Sequence, residues 1–151
     1  MNAGMILSRL RAQVSGHVAV DADTVEEIGR APGAYVLLME LEAPLVFTRK
    51  TIAATALSGW LVYVGSARGG GGIGARLRRH FRKDKPVHWH VDELTNASAF
   101  MAALAVPDGV ECDIVARLTE SGLFETALPG FGSSDCRRCE AHLLRATLRR
   151  P

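Results

Sequence analysis

No apolar run in this chain reaches membrane-spanning length: charges such as Glu40 and Glu42 interrupt the longest stretches. The start, Met1 to Val14, likewise carries no continuous apolar signal core. A soluble, cytoplasmic protein with no membrane partner is the expectation. Cysteine is scarce. Three cysteines, two of them in C-x-x-C spacing, do not make the disulfide framework of a small secreted domain and suit a reducing compartment. An excess of either charge is nearly absent too, 18 Lys and Arg standing against 16 Asp and Glu for a net +2, so bulk composition says little about nucleic acid. The glycine run Gly69 to Gly72 lacks the lysine and the serine or threonine of a P-loop, so no nucleotide cofactor is expected and a flexible hinge is the better reading. Beyond those glycines there is no repeat and no low-complexity segment.

What is present fits one globular domain. A length of 151 residues with 48% hydrophobic content allows a sizeable core but not two ordinary domains. Residues 1–21 match no motif and are set apart as an N-terminal extension, leaving 22–151 as a single domain. Glu26 to Arg30 reads as the close of a short helix before Pro32. Tyr35 to Met39 reads as a strand apolar on both faces and therefore central, with Leu45 to Phe47 as a second piece pairing with it across Pro44. Gly59 opens a further strand, Trp60 to Gly65, and the helix of Arg76 follows the glycine run and ends near Lys83, ahead of Pro86. Residues Val87 to Asp92 admit two readings. Extended, they put His88, His90 and Asp92 on one face; helical, they keep only His88 and Asp92 together. Phe100 to Val106 reads as a strand, Glu111 to Thr119 as a helix, Pro129 to Ser134 as a loop and Cys139 to Leu148 as a closing helix. The fold class expected is α/β or α+β layered: a small central sheet of three or more strands, mixed or antiparallel, with helices packed on it.

The charge distribution is more telling than its sum. Between Arg68 and Lys85 stand seven Lys or Arg against the single acid Asp84, a local +6 that suits a phosphate backbone. In the helix there, Arg76 and His80 lie four residues apart on one face, beside an apolar stripe of Ile73, Leu77 and Phe81. Arg76 offers a planar fork for two phosphate oxygens, or is a solvated helix arginine like Arg78. Tyr35 and Tyr63 are strand-core tyrosines or, each within a glycine-flanked triplet, something more. His80 is a surface histidine or a group that moves a proton near neutrality. Glu111 favours the first turn of its helix simply by charge. Cys112, Cys136, Cys139 and His142 fit either buried thiols or, less readily, a zinc set, because only one closely spaced pair exists.

Gly33-Ala34-Tyr35, then Tyr63-Val64-Gly65 about thirty residues on, then an arginine and histidine helix, together resemble the GIY-YIG nuclease superfamily. His88-Trp89-His90-Val91-Asp92, Glu111-Cys112, Phe131 to Cys136, Cys139 and His142-Leu143 resemble its compact Uri-type endonuclease branch. The matching blocks span about residues 33 to 143. The resemblance implies a GIY-YIG-like fold and a metal-dependent endonuclease that hydrolyses DNA phosphodiesters by water attack. It gives Arg76 the scissile phosphate, Tyr63 a share in deprotonating the water, Tyr35 and His80 the water's orientation, and Glu111 a magnesium or manganese ion. Arg68, Arg78, Arg79, Arg82, Lys83, His88 and His90 become DNA contacts. One departure stands out: no asparagine occurs after Asn96, so Ser134, Asp135 or Glu140 would have to fill the role that an asparagine has in better-known members. The rival readings are a nucleic-acid-binding module that has lost turnover and a zinc-stabilised interaction domain.

Overall fold

The structure, a computed structural model, describes residues 1–49, 52–132 and 138–147. One open antiparallel sheet organises it, in the order β1-β4-β2-β3-β6-β5. Its strands are β1 (Val18–Val20), β2 (Gly33–Arg49), β3 (Ile52–Ala67), β4 (Phe100–Pro107), β5 (Phe124–Thr126) and β6 (Leu143–Ala146). Four helices cover it: α1 (Ala3–Gln13), α2 (Gly72–Phe81), α3 (His90–Ala97) and α4 (Glu111–Glu120). This is an α+β layered fold.

Alternation along β2 divides the core in two. Tyr35, Leu37, Met39 and Leu41 face Ile73 and Leu77 of α2 and Val91 and Leu94 of α3. Ala34, Val36 and Leu38 face Ile6 and Leu10 of α1 and Ile114, Val115 and Leu118 of α4. Both faces are therefore dry, which is why residues 34–39 read as an uninterrupted apolar run. Residues 3–20 build into the same layers, α1 burying Ile6 and Leu10 and β1 pairing with the edge of β4.

Three expectations need correction. Leu45 to Phe47 is not a separate strand folding back across Pro44. It continues β2, a register shift between Leu41 and Leu45 absorbing the proline, and pairs with the first half of β3. Gly59 accordingly lies inside β3, at φ 75°, rather than opening it. Cys139 to Leu148 is not a helix: residues 143–146 form β6, which fills the gap between β3 and β5. Its helix-forming residues are overruled because Leu143 and Leu144 must bury on opposite faces of the sheet, as only a strand allows. Among the described residues no helix is long and apolar enough to span a membrane.

A candidate active site at one end of the sheet

The register of β2 and β3 builds the centre of the site. Tyr35 lies opposite Gly65, and Tyr63 opposite Leu37, so the two phenols are diagonal neighbours on one face with ring centroids 6.3 Å apart. Tyr35 is buried and its ring lies over Gly65, where a Cβ would stand 2.3 Å from Cζ. The glycine of the Tyr63-Val64-Gly65 triplet is thus the floor on which the tyrosine of the Gly33-Ala34-Tyr35 triplet rests. Gly65→Ala is expected to cost about 1–3 kcal/mol through overpacking and to weaken whatever activity the site has. Thermal denaturation of the variant, with unchanged stability refuting the contact, is the check.

Helix α2 brings Arg76 and His80 to the same face. Its entry is not the loose hinge expected from Gly69 to Gly72. Gly71 caps the helix in a left-handed conformation and Gly72 is buried, while Ile73 N–H donates to Ala31 O at 2.8 Å and Gly74 N–H to Gly29 O at 3.2 Å. The amides of that first turn are satisfied by the preceding loop, which leaves them unavailable to a phosphate. The helix also stops at Phe81, two residues earlier than expected.

Tyr35, Tyr63, Arg76, His80, His88, Trp89, His90, Val91, Phe131 and Gly132 line a cavity of about 260 Å³. His80 is buried rather than a surface histidine, and burial lowers its pKa to about 3, so the imidazole is neutral. Burial raises the Tyr35 phenol well above its ordinary value, with Tyr63 adding to the effect; Tyr35 stays protonated. Tyr35 Oη and His80 Nε2 lie 2.7 Å apart, and His80 Nδ1 is buried without a partner. The two side chains therefore share one buried hydrogen bond, which holds the phenol and the imidazole in fixed relation.

Arg76 makes no ion pair among the described residues. Its guanidinium carbon lies over the ring of Trp89, 4.4 Å from the centroid. Glu111 does not line the cavity, but α4 begins at this end of the sheet and the carboxylate raises the pKa of both phenols. Its Oε2 is buried and unpartnered, an energetic fault that a cation would repair.

The basic run serves the fold as much as the surface. Arg79 pairs with buried Asp92 at 2.8 Å and also donates to Pro86 O, and Arg78 pairs with Glu26 at 2.9 Å. Lys85 is buried, tying Arg82 O to Asn96. Arg68, which donates to Gly109 O, and Arg82 and Lys83 are exposed, as are His88 and His90 at the cavity. The Val87 to Asp92 segment is not wholly extended, because α3 begins at His90. Asp92 lies in the first turn of α3 and accepts from the backbone N–H of His88 and Trp89 at 2.9 and 3.0 Å. Burial pushes its carboxyl up, but those donors and Arg79 outweigh it and hold the pKa below the usual range.

Two residues of the site escaped the sequence reading. Trp89, given no role there, is 42% exposed and supports both Arg76 and Arg79. Phe131 is fully buried, edge-on to Tyr63. An aromatic between two histidines just after a basic helix was the available signal for Trp89; Phe131 had only its place in a quoted motif. Ser134, Asp135 and Cys136 lie outside the described residues, while Cys112, Cys139 and His142 come together beyond Tyr63.

An antiparallel α+β domain with one aromatic-walled cavity, an arginine inside it and a carboxylate behind it, is the class that fold and site define. Residues 34–151 match the family described as domain of unknown function DUF123, and the chain belongs to that family. No curated protein and no solved structure matches it significantly.

Proposed function

We propose that this protein is a GIY-YIG-type endonuclease, close to the compact Uri-type branch, which hydrolyses DNA phosphodiesters with a divalent metal. The observation that carries the reading is the convergence on one cavity of Tyr35, Tyr63, Arg76 and His80, with the orphaned Glu111 oxygen coupled electrostatically to both phenols.

Each group matches a need of the reaction. Arg76 holds two non-bridging phosphate oxygens and balances the charge that builds on them. Tyr35, kept in place by His80 and Gly65, offers a proton to the phosphate or to the attacking water. Tyr63 takes the water's proton. Its phenol is raised by burial and by Glu111 and lowered by Arg76, so Arg76 also helps to make it a base. Glu111 would hold magnesium or manganese, and the ion would supply charge to the phosphoryl oxygens and the leaving group. Arg68, Arg82, Lys83, His88 and His90 line the route of the backbone.

The test is incubation with labelled flaps, nicks, bubbles, duplexes and single strands, in magnesium or manganese against chelator. Cleavage by the wild type in metal, lost in chelator and reduced at least about a hundredfold in Glu111→Gln, is the expected result. Binding to all of these substrates without cutting any would instead establish the module that has lost turnover.

A further inference from the structure

We propose that Cys112, Cys139 and His142 form a structural zinc site, separate from the catalytic metal. Their ligand atoms all lie within 4.8 Å of one another, with Cys112 Sγ and His142 Nε2 3.9 Å apart. Sulfur at about 2.3 Å and nitrogen at about 2.1 Å from a tetrahedral zinc stand roughly 3.6–3.8 Å from each other, so only a small contraction separates this cluster from a bound one. Two thiols and an imidazole are soft ligands that select zinc over the magnesium suited to Glu111.

Two separate pieces of backbone supply the groups: the first turn of α4 holds Cys112, and the segment that leads into β6 holds Cys139 and His142. Cys112 and His142 are buried. The sheet sets the position of His142, whose N–H donates to Phe131 O at 2.8 Å and whose carbonyl accepts from Val64 N–H at 3.0 Å. Arg138, next to Cys139, pairs with Asp113 of the same first turn of α4 at 2.9 Å and so holds the two pieces of backbone together. A cavity of about 430 Å³ that includes Cys112, Arg138, Cys139 and Glu140 in its wall gives an ion a way in. Cys136, three residues before Cys139, lies outside the described residues, and the inference stands on the other three.

The site has a purpose in the fold. It would clamp the start of α4, where Glu111 sits, to β6, whose Leu143 pairs with Tyr63. One ion would then hold two catalytic groups from distant parts of the chain in fixed relation.

Metal analysis of the whole chain purified without chelator tests this. About one equivalent of zinc is expected, falling at least about tenfold in Cys112→Ser and in the half-buried Cys139→Ser. Cobalt added to chelator-stripped wild type should give a thiolate charge-transfer band, which keeps the idea testable even if a variant misfolds. A folded wild type with less than about a tenth of an equivalent of zinc and no cobalt band, or with Cys112 and Cys139 in a disulfide, overturns it. The outcome is independent of the nuclease reading: magnesium-dependent cleavage without zinc defeats only this inference, and zinc without cleavage defeats only the other.

Discussion

Arg76→Ala is expected to lower DNA cleavage by about a thousandfold while moving the thermal midpoint by no more than about 4 °C. The two effects separate because of how the side chain is held. Arg76 packs its guanidinium against Trp89 and has no acidic partner among the described residues, so its removal strands no buried charge. Function is different. Tyr35 and His80 are neutral, and Arg76 is the one permanently charged side chain among the described residues lining the cavity. A phosphoryl group passing through its transition state would meet that charge in a desolvated setting, where it counts most. Arg76→Lys keeps the charge but loses the fork and should fall between the two. Single-turnover rates on the best substrate measure the effect. Retention of activity within about threefold in Arg76→Ala would remove the phosphate clamp from the account.

The second large effect concerns protons. Tyr63→Phe should cut the rate by about a hundred- to ten-thousandfold and flatten its dependence on pH. Burial raises the Tyr63 phenol above its ordinary value of 10.0, so at neutral pH only a small fraction is ionised. A base that must be deprotonated works in proportion to that fraction, which grows about tenfold per pH unit below the pKa. Wild-type cleavage should therefore climb with pH from about 6 to 9, with a logarithmic slope near one. His80 predicts an absence. With its pKa at about 3 it is already neutral throughout that range, so His80 itself should contribute no inflection near 6.5. The slope does not by itself single out Tyr63; its disappearance in the variant does. A Tyr63→Phe enzyme with an unaltered profile would transfer the base role elsewhere.

Much of this was legible in the chain, for reasons that particular residues make plain. The central strand showed itself because β2 is dry on both faces, and α2 and α4 because their apolar residues recur at helical spacing. The pairing of Tyr35 with Gly65 was signalled by the two triplets, although only coordinates reveal that the glycine exists to admit the ring. What stayed hidden depended on partners distant in sequence. Residues 139–148 are rich in Glu, Ala, Leu and Arg and look helical until the vacancy between β3 and β5 is known. Pro44 and Gly59 read as breaks, since nothing local announces a register shift that carries a strand past them. Read as extended, residues 87–92 put Asp92 on one face with two histidines. Its burial under Arg79 and two backbone amides is settled by α3 docking beside α2, which no pattern of period two or 3.6 encodes. The seven basic residues, in the same way, looked like one surface before Glu26, Asp92 and Asn96 claimed three of them.

The diagonal seating of the two phenols on β2 and β3 has a consequence for how the molecule fails. A slip of one residue between these strands would turn one ring to the opposite side of the sheet, toward α1 and α4, so no half-aligned arrangement retains a weakened version of the centre. Competence is then all or nothing. On heating, turnover and the ladder joining Gly33–Arg49 to Ile52–Ala67 should vanish at the same temperature, with no partly disabled species in between.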